Sequence, residues 1–209
     1  GEEWLSLLSA IGMKSEVDAE AFVECAHKVE ALGAQLGSSA DVVSRAALLA
    51  DHLTSHLSQL MGNDSATARA FAASIRDVRF VPAAAPSAAL PPATGEPTLC
   101  SFSECALADD AHIVWTSTAL LKREWTPPAQ HLAALGVLSP PPAERVLAHV
   151  RNLAAYSLDE WPWVEHTPPA VYGAVWQFLD ARAAHVPPHV HAALARLPLV
   201  PCGGMAVPP

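Results

Sequence analysis

A chain of 209 residues buries roughly 70% of its unfolded surface on folding, enough for a core without metal or disulfide support. Hydrophobic residues make up 51% and charged residues 16%, with much alanine, which favours helices around a core poor in bulky side chains. The formal net charge of -9 argues against a nucleic-acid partner, which requires a basic face, and disfavours anionic membranes.

No run approaches the roughly 20 apolar residues that span a bilayer, and no signal peptide opens the chain. The start, Gly1-Glu2-Glu3-Trp4, lacks an initiator Met and reads as an excised segment or a processed chain. The cysteines are Cys25, Cys100, Cys105 and Cys202, of which only Cys100 and Cys105 are close in sequence. That spacing is not the C-x2-C knuckle of a zinc site, and four cysteines make no disulfide scaffold. Reduced thiols in the cytoplasm are the expectation.

In chain order, Trp4, Leu5, Leu8 and Ile11 predict a short amphipathic helix stopping at Gly12. Ser15-Glu-Val-Asp18 reads as a capping box before a helix carrying Phe22, Cys25, Val29 and Leu32 and ending at Gly33. Ser38-Ser-Ala-Asp41 opens a longer one, with Val42, Ala46, Leu49, Leu53, Leu57 and Leu60 as its stripe and Gly62 as its stop. Residues 66–76 carry Ala68, Phe71, Ala72 and Ile75 on one side. The period then changes: Val78-Arg-Phe80-Val-Pro82 alternates as a strand, with Pro82 ending it or marking an edge.

Residues 83–98 form a Pro/Ala-rich loop without periodicity. Leu99–Cys105 and His112–Thr118 each predict a short extended segment. Helix returns at Gln130–Leu135, and after Ser139 a helix turns Val146, Val150 and Leu153 inward and Glu144, Arg145, Arg151 and Asn152 outward. Thr167-Pro168-Pro169 is a strong helix start. The segment it opens, to Asp180, has adjacent stripes Val171/Val175/Phe178 and Tyr172/Trp176/Leu179, so burial on most sides is expected. A last helix carries Val190, Leu194 and Leu197, and Leu199–Val207 reads as a hairpin turning at Gly203-Gly204.

The fold class is therefore mainly α with a small β component (α+β), a helical layer with short strands near 78–82 and 199–207. The expected divisions are a helical subdomain over 1–82, the loop over 83–98 and a second subdomain over 99–209. The two "helices, then a short strand ending in Pro" units, ending at Pro82 and Pro201, form a weak internal echo that would pair in one sheet.

Candidate chemistry is sparse. His52 and His56 have the i, i+4 spacing of two metal ligands, but lack the Glu of H-E-x-x-H and read as a solvated helix face. His185, His189 and His191 cluster beside Pro187-Pro188, the one place where a metal-dependent hydrolase is conceivable, yet no carboxylate or Cys adjoins them in sequence. Cys202 before Gly203-Gly204 has no adjacent base to activate it. Arg145 and His149 resemble the Arg/His pair of some helical RNases with the spacing one short, on a chain of the wrong charge. Trp4, Trp161 and Trp163 lie near element ends as candidate partner contacts, with Trp161 and Trp163 offering a ledge for a peptide; the plainer reading is that they roof a thin core.

The order of motifs resembles a known family. Trp4-Leu-Ser-Leu-Leu-Ser-Ala-Ile-Gly-Met-Lys14 followed by Asp18-Ala-Glu-Ala-Phe22-Val-Glu-Cys-Ala26-His-Lys-Val-Glu30 is similar to the start of sacsin-type repeat regions. Ile75-Arg-Asp-Val-Arg-Phe-Val-Pro82 resembles their strand, and Leu135-Gly-Val-Leu-Ser-Pro-Pro-Pro142 through Val146, His149 and Leu153 resembles their Pro-capped helix. The resemblance implies a segment of a sacsin-like chaperone or cochaperone, outside its Hsp90-like ATPase domain. The chain holds no Asp-x-Gly-x-Gly nucleotide loop and no His-Pro-Asp motif, so neither ATP binding nor stimulation of Hsp70 carries over. The expectation is a non-catalytic, cytoplasmic structural module without cofactor. It would support neighbouring domains of the same polypeptide and touch chaperone clients or cytoskeletal filaments. The rival readings are the hydrolase and the peptide-binding adaptor.

Overall fold

Among the described residues, three of the helices expected from sequence precede the first strand. Asp18 caps α1 (Ala19–Leu36), its carboxylate accepting the Ala21 N–H at 2.9 Å. α1 runs through Gly33, where a stop is expected, and ends at Gly37 with φ 63°. Gly33 serves a close approach instead: a Cβ there would lie 2.5 Å from Leu99 Cδ1. α2 (Ala40–Met61) buries Val42, Ala46, Ala50, Leu53, Leu57 and Leu60, and α3 (Ser65–Ile75) buries Phe71, Ala72 and Ile75. Asp64 caps α3 through the N–H groups of Ala66 and Thr67 and the Thr67 hydroxyl.

This is a computed structural model that describes residues 17–62, 64–87, 96–155, 161 and 166–197. The expected helix at Trp4–Ile11 and hairpin at Leu199–Val207 lie outside those residues.

Four short strands follow: β1 (Val81–Ala84), β2 (Pro97–Cys100), β3 (Cys105–Leu107) and β4 (Ala119–Leu121), in the order β2-β1-β4-β3. β1 pairs antiparallel with β2 and β4, whereas β3 and β4 are parallel. The molecule is thus mainly helical with a small sheet. Pro82 neither ends the strand nor sits on an edge: it lies inside β1, opposite Leu99. The pair Ala85 N–H to Glu96 O continues the β1–β2 register, and antiparallel alternation then turns the nitrogen of Pro82 away from β2. On its other side β4 pairs only Ala83 and Ala84, so no ladder bond is lost. The Pro/Ala segment is correspondingly shorter than expected, because Ala83-Ala84 and Pro97-Thr98 belong to strands.

The pleat sends successive residues to two cores. Val81, Ala83, Cys105, Ala119 and Leu121 join the core of α1–α3, whereas Ala84, Ala106 and Leu120 join a second core on the opposite face. That second core is closed by α4 (Ala111–Val114), α6 (Ala143–Leu153), α7 (Pro168–Asp180) and α8 (Pro188–Leu194); α5 (Ala129–Leu135) buries Leu135 in the first. Phe22, Phe71, Phe80 and Phe102 form a chain of ring contacts 5.6–5.9 Å apart through the first core.

Two further expectations are corrected. Leu99–Cys105 is split by a single 3-10 turn, because Ser101 and Glu104 form a capping box. His112–Thr118 is α4 and the turn after it, not extended; a short apolar run such as Ile113-Val-Trp115 suits helix or strand, and packing on α6 and α7 decided it. Helix α7 buries Val171, Tyr172, Val175 and Leu179 but leaves Trp176 43% exposed, so it is covered on one side rather than surrounded.

Two substitutions check this arrangement by urea unfolding. Leu121→Ala empties a fully buried site between the sheet and α1–α3 and should lower stability by about 2–5 kcal/mol. Gly136→Ala places a side chain at φ 80° and pushes aside Arg76, whose Nε lies 2.6 Å from the new Cβ, for a loss of about 1–2 kcal/mol.

Candidate functional site

The residues singled out from sequence do not meet in one place. Trp161 is half-buried, its indole N–H donating to His166 O at 2.7 Å and its ring 6.1 Å from Tyr172, against the second core. Trp4 and Trp163 lie outside the described residues. His189 Nε2 stands 3.7 Å from Glu144 Oε1 with both side chains exposed, His191 lines a groove, and His185 is exposed. Among the described residues no three His, Cys, Asp or Glu side chains are grouped to hold a metal ion, so the 185/189/191 cluster is one of sequence only.

His52 corrects the solvated-face reading. Its ring stacks between Phe22 (6.2 Å) and His56 (4.3 Å), and its Nε2 is buried without a hydrogen-bond partner. Burial, and then the neighbouring His56, lowers its pKa below the ordinary 6.5. His56 stays exposed and carries non-helical φ/ψ inside α2, with its Nδ1–H donating to His52 O at 3.0 Å. On the same helix Asp51 accepts the Trp125 indole N–H at 2.7 Å, which fastens the segment after β4 to α2.

The most buried polar side chain is His149 on α6, fully shielded from solvent. Its Nδ1 lies 2.8 Å from Thr116 Oγ1 and accepts a longer bond from the Thr116 N–H, so Nε2 carries the proton and donates to His112 O at 3.3 Å. Asn152, one helical turn on, donates to Thr116 O at 2.9 Å, and the Trp115 ring meets the imidazole edge-on at 4.3 Å. Ser117 Oγ donates to Arg145 O at 2.8 Å from the same turn. The Arg145/His149 pair is therefore a fastener between α6 and the turn after α4, with both imidazole nitrogens engaged. A sequence signal for it existed: position 149 falls on the 146/150/153 stripe at i+3 from Val146.

The accessible concave surfaces lie elsewhere. A groove of about 300 Å³ between α7 and α8 is lined by Trp176, Leu179, Asp180, His191 and Leu194. A second, of about 390 Å³, lies where α1 meets α2 beside β2 and is lined by Glu30, Gly33, Ser38, Arg79, Thr98 and Leu99. Glu30 accepts the Arg79 N–H at 3.0 Å there, and Arg79 Nε donates to Glu104 at 3.1 Å. Trp176 was missed as a surface residue because its stripe is as apolar as the buried one. No family model, curated protein or solved structure matches the chain.

The acid response should follow from His149. Burial pushes its pKa down to about 3, so between 6.5 and 3 the unfolded chain binds a proton that the folded chain refuses. Its contribution is complete above pH 6.5 and is lost as pH falls, at up to about 1.4 kcal/mol per pH unit. Urea unfolding from pH 7 to 4 should show this slope, flattened in His149→Gln; equal slopes in both proteins would exclude the assignment.

Proposed function

We propose that the chain is a non-catalytic structural and interaction module of the sacsin-like repeat type, cytoplasmic, supporting neighbouring Hsp90-like ATPase domains and contacting chaperone clients or cytoskeletal filaments. The observation that carries this reading is where the polar contacts between elements fall, some of them buried. His149, Thr116 and Asn152 join α6 to the turn after α4, and Asp51 with Trp125 joins α2 to the segment after β4. Each links elements of the scaffold, and both imidazole nitrogens of the deepest candidate base are occupied by protein partners.

Support for the interaction half comes from Trp176, an exposed aromatic beside an apolar groove, the residue type that dominates protein contacts. No described helix is long and apolar enough to cross a membrane. The hydrolase reading gains nothing from His189, which stands beside exposed Glu144, because no three potential ligands are grouped among the described residues. The adaptor reading shifts from Trp161, which packs on Tyr172, to Trp176.

The test is a calorimetric titration of the chain against an isolated Hsp90-like ATPase domain of a sacsin-like protein and against an unfolded model client. Saturable association with either is expected. Trp176→Ala should weaken it about tenfold or more, ~1.4 kcal/mol, while changing folding stability by less than about 0.5 kcal/mol. Absence of association with both partners would sink the proposal.

A further inference from the structure

His52 and His56 lie one helical turn apart on α2, and their imidazoles stack with centroids 4.3 Å apart and planes 20° from parallel. The His52 ring also stacks on Phe22 of α1 at 6.2 Å, so a half-buried imidazole covers one side of a phenylalanine that is itself fully buried. Nε2 of His52 is buried and has no hydrogen-bond partner among the described residues. A neutral imidazole with its hydrogen on Nδ1 leaves only a lone pair at that position. The imidazolium must instead place an N–H there with no acceptor, which is the costlier arrangement. The helix is already broken beside the stack: His56 has φ -121° and ψ 16°, and its Nδ1–H is donated to His52 O.

Little around the ring would compensate a positive charge. On α1, Glu24 is paired with Lys28; on α3, Asp64 is spent on capping its own helix. On the segment after β4, Arg123 is paired with Asp109, and Asp51 of α2 accepts the Trp125 indole N–H. Among the described residues the titratable group that acts on His52 is His56, and its charge is of the same sign. We propose that the His52–His56 stack is an acid-sensitive latch: a proton taken up by His52 drives its ring from beside Phe22 and opens the seam between α1 and α2 before the chain unfolds.

The opening is local because the ring is only half-buried and leaves by rotation of its own side chain, while Leu53, Leu57 and Leu60 stay in the core on the adjoining face of α2. Burial, and after it the His56 imidazole, holds the seated ring below the ordinary 6.5. The seated form therefore binds fewer protons than the released one. Its advantage is complete above pH 6.5 and falls below it, by up to about tenfold in the seated-to-released ratio per pH unit. His149 acts in the second core and on the stability of the whole fold, so the two acid responses are separable.

The test is an NMR titration of the full chain from about pH 7.5 to 5, following the imidazole nitrogens, the Phe22 ring protons and the backbone amides. The His52 ring and the Phe22 ring should shift together with one midpoint below 6.5, while the amides of α6 keep their positions. His52→Phe, which fills the slot without titrating, should abolish the Phe22 response, and His149→Gln should leave it in place. His56→Ala removes both the stacking partner and the like charge, and should move the midpoint upward. The latch is overturned if His52 takes up its proton while Phe22 does not move, if His52 stays neutral until the whole spectrum collapses, or if the Phe22 response survives in His52→Phe. An unchanged midpoint in His56→Ala would count against the pair. Should a variant not fold, the joint titration of His52 and Phe22 in the unsubstituted chain decides the question.

Discussion

The structure depends on a sheet whose strands are three or four residues long and covered on both faces. A strand that short gains few ladder bonds, and a sheet of four such strands is marginal in water. What holds it is burial: every residue of β1 and β4 is buried, and neighbours in sequence point to opposite cores. Alanine suits this arrangement, since Ala83, Ala84, Ala106 and Ala119 let helices approach the sheet closely on either side. The same smallness operates at Gly33, where the Leu99 side chain occupies the volume a Cβ would need. Neither helical layer closes its core without the sheet between them.

Small side chains bury little apolar area, so the polar contacts between elements carry more of the burden of specifying one arrangement. The His149–Thr116 bond, the Asn152 contact to the same threonine and the Trp125–Asp51 bond each join residues more than thirty positions apart. A buried polar group left unpaired costs about 1–3 kcal/mol, which penalises any packing that misaligns these pairs. Exposed ion pairs such as Arg123–Asp109 contribute little by comparison, being screened by solvent. Under the proposed function, an interior organised in this way would hold the module's shape while it presents a surface. Trp176 beside the α7–α8 groove is the most conspicuous part of that surface.

The turn between β2 and β3 adds a local constraint. Cys100 and Cys105 occupy strand ends that the Ser101–Glu104 capping box sets at a defined separation, and Arg79 connects that turn to the groove beside Glu30.

Local rules determined much of this from the amino-acid order alone. Asp64 at the start of α3, Gly62 at the end of α2, Thr167-Pro168-Pro169 before α7 and the stripe through Leu53, Leu57 and Leu60 follow from capping and periodicity, which act within a turn or two of helix. So does the mainly helical class with a small sheet. Other features were decided only when distant segments met. Pro82 is tolerated inside a strand because β4 ends where its nitrogen points, Gly33 stays helical because Leu99 fills its space, and Ile113-Val-Trp115 coils because α6 and α7 receive it. Trp176 exchanged its expected burial for the surface for the same reason. Periodicity states which residues share a face, but only the final position of the other elements states which face is covered.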